Sequence, residues 1–320
     1  MIALEEIEAA RKRVAGIAVR TPLVRLPLHD SDSRIYCKLE TLQPINSFKL
    51  RGAANAILSA SPGAYAEGLV TASAGNMAQG VAWMARELGV PATIVVPEQA
   101  PETKLNAIAA LGGRAIKVPY DKWWQTIVTS RFEGIAGHFV HPVQDEGVMA
   151  GNGTIGLEIL EDLPDVDAVV IPVGGGGLAT GIASAIRARR PQTRIVTVEP
   201  DTGAALRAAL AAGEPTDVEY TPSLVDGSGS RRVLDPMWPR LAPLVDEAVA
   251  VSIPQVLGAI ELLARRLRVV AEGAGALSTA AATGGLVKGE TIACVVSGGN
   301  IDLSTFAQIF SDGDGVEPGA

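Results

Sequence analysis

From residue 69 onward, short unbroken apolar runs alternate with longer stretches in which apolar residues recur every three or four positions. The runs 69–73, 93–96, 114–118, 168–173, 194–199 and 291–296, with a shorter one at 138–140, predict strands. They lack polar–apolar alternation, which marks strands covered on both faces, as in a parallel sheet. The periodic stretches predict helices over 77–88, from after Pro101 to 111, and over 122–134, 149–160 and 178–189. This βαβα rhythm predicts an α/β protein with open, twisted, mostly parallel sheets and helices on both faces. Upstream, 35–40 reads as a strand, and the run through Ala53, Ala54, Ile57 and Leu58 reads as a helix. Residues 1–14 mix Glu and Arg on a further helical pattern, and the Gly- and Asp-rich tail 311–320 is expected to fray.

Composition narrows the class. At 320 residues, 48% apolar and 19% charged, the chain can bury a large core in one large domain or two lobes. The net charge of −8, from 27 basic against 35 acidic residues, is spread along the chain. No basic run exceeds the short one ending at Arg189 and Arg190, so nucleic acid is not an expected partner. Cys37 and Cys294 lie in apolar runs far apart in sequence and read as reduced core thiols. His29, His138 and His141 have no ligand spacing and read as structural or surface residues. With no signal-peptide core and no apolar stretch of membrane-spanning length, a soluble cytoplasmic protein without membrane association is expected.

Four junctions where a strand runs into a helix carry the candidate chemistry, because ligands of such sheets sit at the carboxyl ends of strands. At the first, Asn46 and Ser47 are candidate N-caps, which puts Lys49 in the first turn of a helix. The positive end of the helix dipole, with partial burial beside Phe48, would lower the lysine pKa and make it a nucleophile. The second, Ser73-Ala74-Gly75-Asn76-Met77, offers N–H groups for a carboxylate and an Asn side chain for a hydroxyl, though an ordinary capped turn reads the same way. The third, Gly174-Gly175-Gly176-Gly177 before Leu178, suits backbone closing around a phosphate, since a Cβ would obstruct the approach. The fourth, Ser297-Gly298-Gly299-Asn300, places a hydroxyl where it can face a heteroaromatic nitrogen.

A competing pattern exists. Gly174, Gly176 and Ala179 fit a dinucleotide fingerprint with Glu199 at a later strand end, which would make a nicotinamide (NAD) dehydrogenase. That chemistry leaves Lys49, Asn76 and Ser297 idle. Pyridoxal 5'-phosphate held by a lysine as a Schiff base uses all four junctions.

Ser47-Phe48-Lys49-Leu50-Arg51-Gly52 resembles the lysine motif of the fold-type II pyridoxal-phosphate enzymes, in their threonine/serine dehydratase and serine racemase branch. Ser73-Ala74-Gly75-Asn76, the glycine loop with Leu178, Val198-Glu199-Pro200, Asp226-Gly227 and Ser297-Gly298-Gly299-Asn300 are similar to further motifs of that branch. The resemblance implies a two-lobed, tryptophan synthase β-like fold, with a large cofactor domain over 1–45 and 143–320. A small mobile substrate domain would cover 46–142, and the protein would be a homodimer. It implies that Lys49 carries the cofactor beside Phe48, that Asn76 meets its 3-hydroxyl and that Gly174, Gly175, Gly176, Gly177 and Leu178 take its phosphate. Ser297 would meet the pyridine nitrogen, Glu272 would lie near the ring, and Ser73, Ala74, Gly75, Asn76 and Met77 would bind the amino-acid substrate.

The implied reaction is β-elimination from a β-hydroxy α-amino acid such as L-threonine or L-serine, giving a 2-oxo acid and ammonia. Departures from the family pattern bear on the substrate. Met77 stands where His is usual, Trp123 and Trp124 form a bulky pair, and Gly273 stands where Pro is common. A non-standard substrate, such as hydroxyaspartate or a hydroxyectoine-derived amino acid, therefore stays open. Ala74 occupies the position of a serine in the racemases, and its methyl group cannot transfer a proton, which favours dehydratase over racemase. Glu199 matches one ligand of a racemase-type cation site, but Ala205 stands at the second, so no metal is expected with assurance. Arg131 is either a partner for a substrate carboxylate or an exposed helix arginine.

Overall fold

The strands sort into two sheets in the computed structural model, which describes residues 1–28 and 32–311. His29 and the tail 312–320 lie outside the described residues. The strands are β1 (Leu23–Arg25), β2 (Arg34–Leu39), β3 (Leu69–Ala72), β4 (Ala92–Pro97), β5 (Arg114–Val118), β6 (His138–Phe139), β7 (Ala168–Pro172), β8 (Arg194–Pro200), β9 (Glu247–Val251) and β10 (Thr291–Val296). Six of them run in the order β1-β2-β10-β7-β8-β9 and four in the order β5-β4-β3-β6. Every pairing is parallel except the edge pair β1–β2.

The unalternating strands have the predicted cause. In β7, Val170 packs with Val196, Cys294 and Ile260 on one face of the large sheet, while Val169 and Ile171 pack with Ile155, Ile182 and Ile186 on the other. Helices Ile253–Leu267 and Gly273–Thr283 cover the first face, and Glu146–Asp162 and Gly177–Arg189 cover the second. Both faces of a period-two strand are thus apolar. Cys37 and Cys294, distant in sequence, are register partners on β2 and β10; both are free and buried, and burial pushes the Cys37 thiol up to about 12.

Several boundaries differ from the sequence expectation. The helix expected over 122–134 is Tyr120–Thr129, because Pro119 opens it and Ser130 ends it with a left-handed φ of 51°. The helix expected over 149–160 is Glu146–Asp162, started early by Asp145, whose carboxylate accepts from the N–H groups of Gly147 and Val148. Strand β9 and helices Ala205–Ala212, Ile253–Leu267 and Gly273–Thr283 carried no reading in the sequence. The last is buried all round and so shows no amphipathic period. No helix among the described residues is long and apolar enough to cross a membrane.

Candidate active site

Lys49 is the first residue of helix Lys49–Ser59, but neither expected cap holds it. The N-cap position falls on Phe48, with no side-chain cap bond. Asn46 instead adopts a left-handed φ of 54°, and Ser47 is fully buried, its Oγ accepting from the Lys49 N–H at 3.4 Å. Backbone pairing replaces the caps. The Phe48 N–H donates to Ser297 O at 3.0 Å, the Gly299 N–H donates to Asn46 O at 2.9 Å, and Ser47 bridges Gly298. The first and fourth junctions are therefore one structure, the lysine turn zipped to the turn that follows β10.

The Lys49 amine donates to Pro142 O at 3.1 Å and lies 5.1 Å from the Phe48 ring centroid. Burial lowers its pKa to about 8, and the Glu272 carboxylate opposes that shift. Pro142 is held by a residue that the sequence reading set aside as structural or surface. His141 Nδ1 accepts from the N–H groups of Val143 and Gln144 at 3.0 and 2.9 Å, so its turn presents Pro142 O to the lysine. Burial brings His141 down to about 4, and it is neutral at neutral pH. Only spatial proximity to Lys49 reveals it; no motif surrounds it.

The glycine loop crosses from β7 into helix Gly177–Arg189, and its glycines are required by neighbouring protein. A Cβ at Gly175 would lie 2.4 Å from Val143 Cγ2, at Gly177 2.9 Å from Val143 O, and at Gly174 2.8 Å from Gly227 O. Gly176 has a φ of +92°. The expectation that side chains were excluded to admit a phosphate is corrected to that extent: the loop is wedged against residues 143 and 227. Among the described residues, the N–H groups of Gly174, Gly175, Gly176, Gly177 and Leu178 donate to no protein acceptor. A helix N-terminus with its donors free is an anion cup.

Asn76 opens helix Asn76–Leu88, with Gly75 as its N-cap. Its Nδ2 donates to Glu272 Oε1 at 2.7 Å, and its Oδ1 accepts from Asn300 Nδ2 at 2.8 Å. Burial raises Glu272 to about 7, with the Asn76 hydrogen bond opposing and the Asp226 charge reinforcing. The Glu272 N–H donates to Gly298 O at 3.0 Å, and a Cβ on Gly298 would lie 2.3 Å from Glu272 Oε1. Ser297 is buried, and its hydroxyl has no protein partner among the described residues.

These parts line one cavity of ≈ 1040 Å³ that also touches Ser73, Ala74 and Gly75. Met77 lines it too but is 1% exposed and packs into the core beneath the small sheet. On the small-sheet side Tyr120, Trp123 and Trp124 line the cavity from one face of their helix, with successive ring centroids 5.5 and 6.3 Å apart. Trp123 Nε1 is buried without a partner.

Two candidates lie elsewhere. Arg131 is exposed, beyond the end of helix Tyr120–Thr129, and does not line the cavity. Glu199 is buried, with its carboxylate accepting from the N–H groups of Leu206 and Arg207 at 3.0 and 2.9 Å. It caps the helix Ala205–Ala212 and is absent from the cavity wall, so the ribose contact of the nicotinamide alternative is not available.

Comparison with known proteins agrees. The family described as "Pyridoxal-phosphate dependent enzyme" matches residues 14–298. The L-threonine ammonia-lyase of Thermotoga maritima is 41% identical over 318 residues, covering 98% of this chain and 79% of that protein. The structure of maize serine racemase superposes with a TM-score of 0.89 at 31% identity, covering 97% of both chains. The processed form of threonine deaminase isoform 2 from Solanum lycopersicum superposes with a TM-score of 0.85 at 32% identity, covering 96% of this chain and 86% of that one.

Proposed function

The chain belongs to the pyridoxal-phosphate dependent enzymes, and we propose that it is a dehydratase of β-hydroxy amino acids, releasing a 2-oxo acid and ammonia from L-threonine or L-serine. The nicotinamide alternative is withdrawn with that membership. The observation that carries the proposal is the meeting, in one cavity, of a half-buried lysine brought to about 8 and a glycine cup whose N–H groups are free.

The residues fit the cofactor. Gly174, Gly175, Gly176, Gly177 and Leu178 would take the phosphate on free N–H groups, and the unpartnered hydroxyl of Ser297 would meet the ring nitrogen. Asn76 would meet the 3-hydroxyl, oriented by Glu272 and Asn300. When bound, the cofactor supplies a ring that delocalises the charge left at the substrate α-carbon.

The chain's own groups do the rest. Lys49 Nζ, neutral in a usable fraction at neutral pH, takes the α-proton. The Ser73–Asn76 turn, at a helix N-terminus and open at Gly75, where a Cβ would meet nothing within 4 Å, receives the substrate carboxylate. Ala74 lines the cavity with a methyl group, so no acid there returns a proton to the opposite face, and elimination prevails over racemisation. Residues 46–142 act as the lobe that closes on substrate, in a cytoplasmic homodimer.

The test is turnover of L-threonine and L-serine, scored by 2-oxo acid and ammonia. Lys49→Ala is expected to abolish both products while the chain stays folded. Retained turnover in that variant, or substantial D-serine from L-serine, defeats the assignment.

A further inference from the structure

Two residues beyond Lys49, and about 200° around the helix at 3.6 residues per turn, Arg51 points away from the cavity into a buried cluster of charges. Its side chain is 1% exposed, and those of Glu40, Lys38 and Glu158 are 0%, 0% and 7% exposed. Arg51 Nε and Nη2 donate to the Glu40 carboxylate at 2.8 and 2.9 Å, and Nη1 and Nη2 donate to the Glu158 carboxylate at 2.6 and 2.9 Å. Nη1 also donates to Thr154 Oγ1 at 3.1 Å, and Nη2 to Val19 O at 3.0 Å. Lys38 Nζ meets Glu158 Oε2 at 2.6 Å and Thr21 O at 2.6 Å. Thr21 Oγ1 and Gln43 Nε2 complete the shell of Glu40 at 2.6 and 3.1 Å. The charges balance, two positive against two negative.

The cluster joins three pieces of chain. Glu40 follows β2, Arg51 is on the lysine helix, and Glu158 is on helix Glu146–Asp162. That last helix is pressed between the lysine helix and the helix of the glycine loop, backbone against backbone. A Cβ on Gly151 would lie 2.3 Å from Arg51 O, and one on Gly181 2.2 Å from Met149 O. The spacing between the reactive amine and the phosphate cup therefore runs through helix Glu146–Asp162. The contacting glycines set how closely the helices approach, but a smooth glycine surface fixes neither rotation nor axial slide. A planar guanidinium forked onto two carboxylates fixes both. The backbone pairing to the turn after β10 holds only the start of the lysine helix, and Arg51 is a side chain of its first turn that ties it to helix Glu146–Asp162.

We propose that Arg51, together with Glu40 and Glu158, is a positioning residue for Lys49, setting the rotation and height of the helix whose first residue is the reactive lysine. Stability alone does not account for it. A buried ion cluster is often matched or exceeded in stability by uncharged residues of similar volume, whereas removing one member strands a charge. This assignment rests on the cofactor-bound reading above, and a wild-type protein without a cofactor–lysine absorbance band would refute that reading before any variant is compared.

The experiment uses the holoenzyme, with turnover expressed per cofactor-loaded site, the pH midpoint of the cofactor–lysine absorbance, and the thermal melting temperature. Arg51→Met alone leaves Glu40 unpaired and is expected to melt well below wild type. Arg51→Met with Glu40→Gln keeps Lys38 balanced by Glu158 and is expected to recover most of that melting temperature. It should still lose about 10–100-fold in turnover per loaded site, the scale of a misplacement near 1 Å, with a displaced absorbance midpoint. Arg51→Lys keeps the charge without the fork and is expected to fall between. Wild-type turnover and midpoint in the double variant, or turnover that simply follows melting temperature through the three variants, overturns the assignment.

Discussion

The two walls of the cavity are built to different standards. On the large-sheet side every residue of β7 and β10 is buried, helix Gly177–Arg189 is buried through its first ten residues from Gly177 to Ile186, and the glycine loop is wedged at distances no side chain tolerates. On the small-sheet side β3 and helix Asn76–Leu88 are also well buried, but the outer elements are not: β5 shows only Val118 buried, helix Glu102–Ala110 buries Ile108 alone, and helix Tyr120–Thr129 buries Thr126 and Ile127. Few buried contacts mean a low cost of local displacement. The large-sheet wall carries the glycine loop and Ser297, Lys49 and Asn76 open well-buried helices that pack with the small sheet, and the sparsely buried outer edge carries the aromatic strip that lines the cavity. Groups that must be fixed with respect to one another sit on well-buried elements, while the outer edge keeps its freedom.

This contrast can be broken from the rigid side first. Gly151→Ala forces a methyl group against Arg51 O, which lies in helix backbone and cannot yield cheaply. We expect a loss of about 1–3 kcal/mol or more, read as a lowered melting temperature, together with weaker cofactor retention. Gly175→Ala meets the half-buried Val143 side chain and not helix backbone, so a smaller loss of the same kind is expected.

The electrostatics give a second test, of intermediate size. In the cofactor-free protein, pH-dependent labelling of the Lys49 amine should show a midpoint near 8, and Glu272→Gln should move it lower, because the carboxylate raises the lysine pKa. Linkage gives opposite slopes. Lys49 is lowered from 10.5 to about 8 on folding, so the unfolded state binds more protons between those values and stability rises with pH across that window. Glu272 is raised from 4.5 to about 7, so the folded state binds more protons there and stability falls as pH climbs through that window. Denaturant titrations in which Glu272→Gln leaves the acid-side slope unchanged would contradict the burial assigned to this carboxylate.

The loose wall should answer with selectivity and little else. Trp123→Ala and Trp124→Ala remove cavity lining from a sparsely buried helix. Changes of about 1–3 kcal/mol in the ratio of kcat/KM for bulky against small β-hydroxy amino acids are expected, in the range that pocket contacts supply. Melting temperature should stay near wild type for Trp124→Ala, where the native side chain is exposed, and fall modestly for Trp123→Ala, because Trp123 packs against Ala72, Val95 and Ile127. A large melting shift without a change in substrate ratios would remove the distinction between the two walls.

Much of the site was legible because it is built from short local patterns. The lysine turn, the glycine loop and the Asn76 turn each sit where a strand becomes a helix, and such junctions show in five or six consecutive residues. The caps were misjudged, since Asn46 and Ser47 look like ordinary N-caps until the turn after β10 pairs with them. Helix Glu146–Asp162 shows why composition misleads: Gly147, Gly151, Gly153 and Gly156 weaken a helix by propensity, yet all four are places where another helix or its side chains come close.

What the amino-acid order determined by itself was the succession of strands and helices and the chemistry placed at their junctions, because hydrophobic period and turn chemistry act over a few residues. Tertiary structure alone decided which junctions meet. The pairing of Asn46 with Gly299, the ties of Asn76 to Glu272 and Asn300, the support of Pro142 beside Lys49 by His141, and the closing of Glu40, Arg51 and Glu158 into one cluster join residues with no shared local pattern. Burial is a property of the assembled fold, and burial is what brings Lys49 and Glu272 toward neutrality.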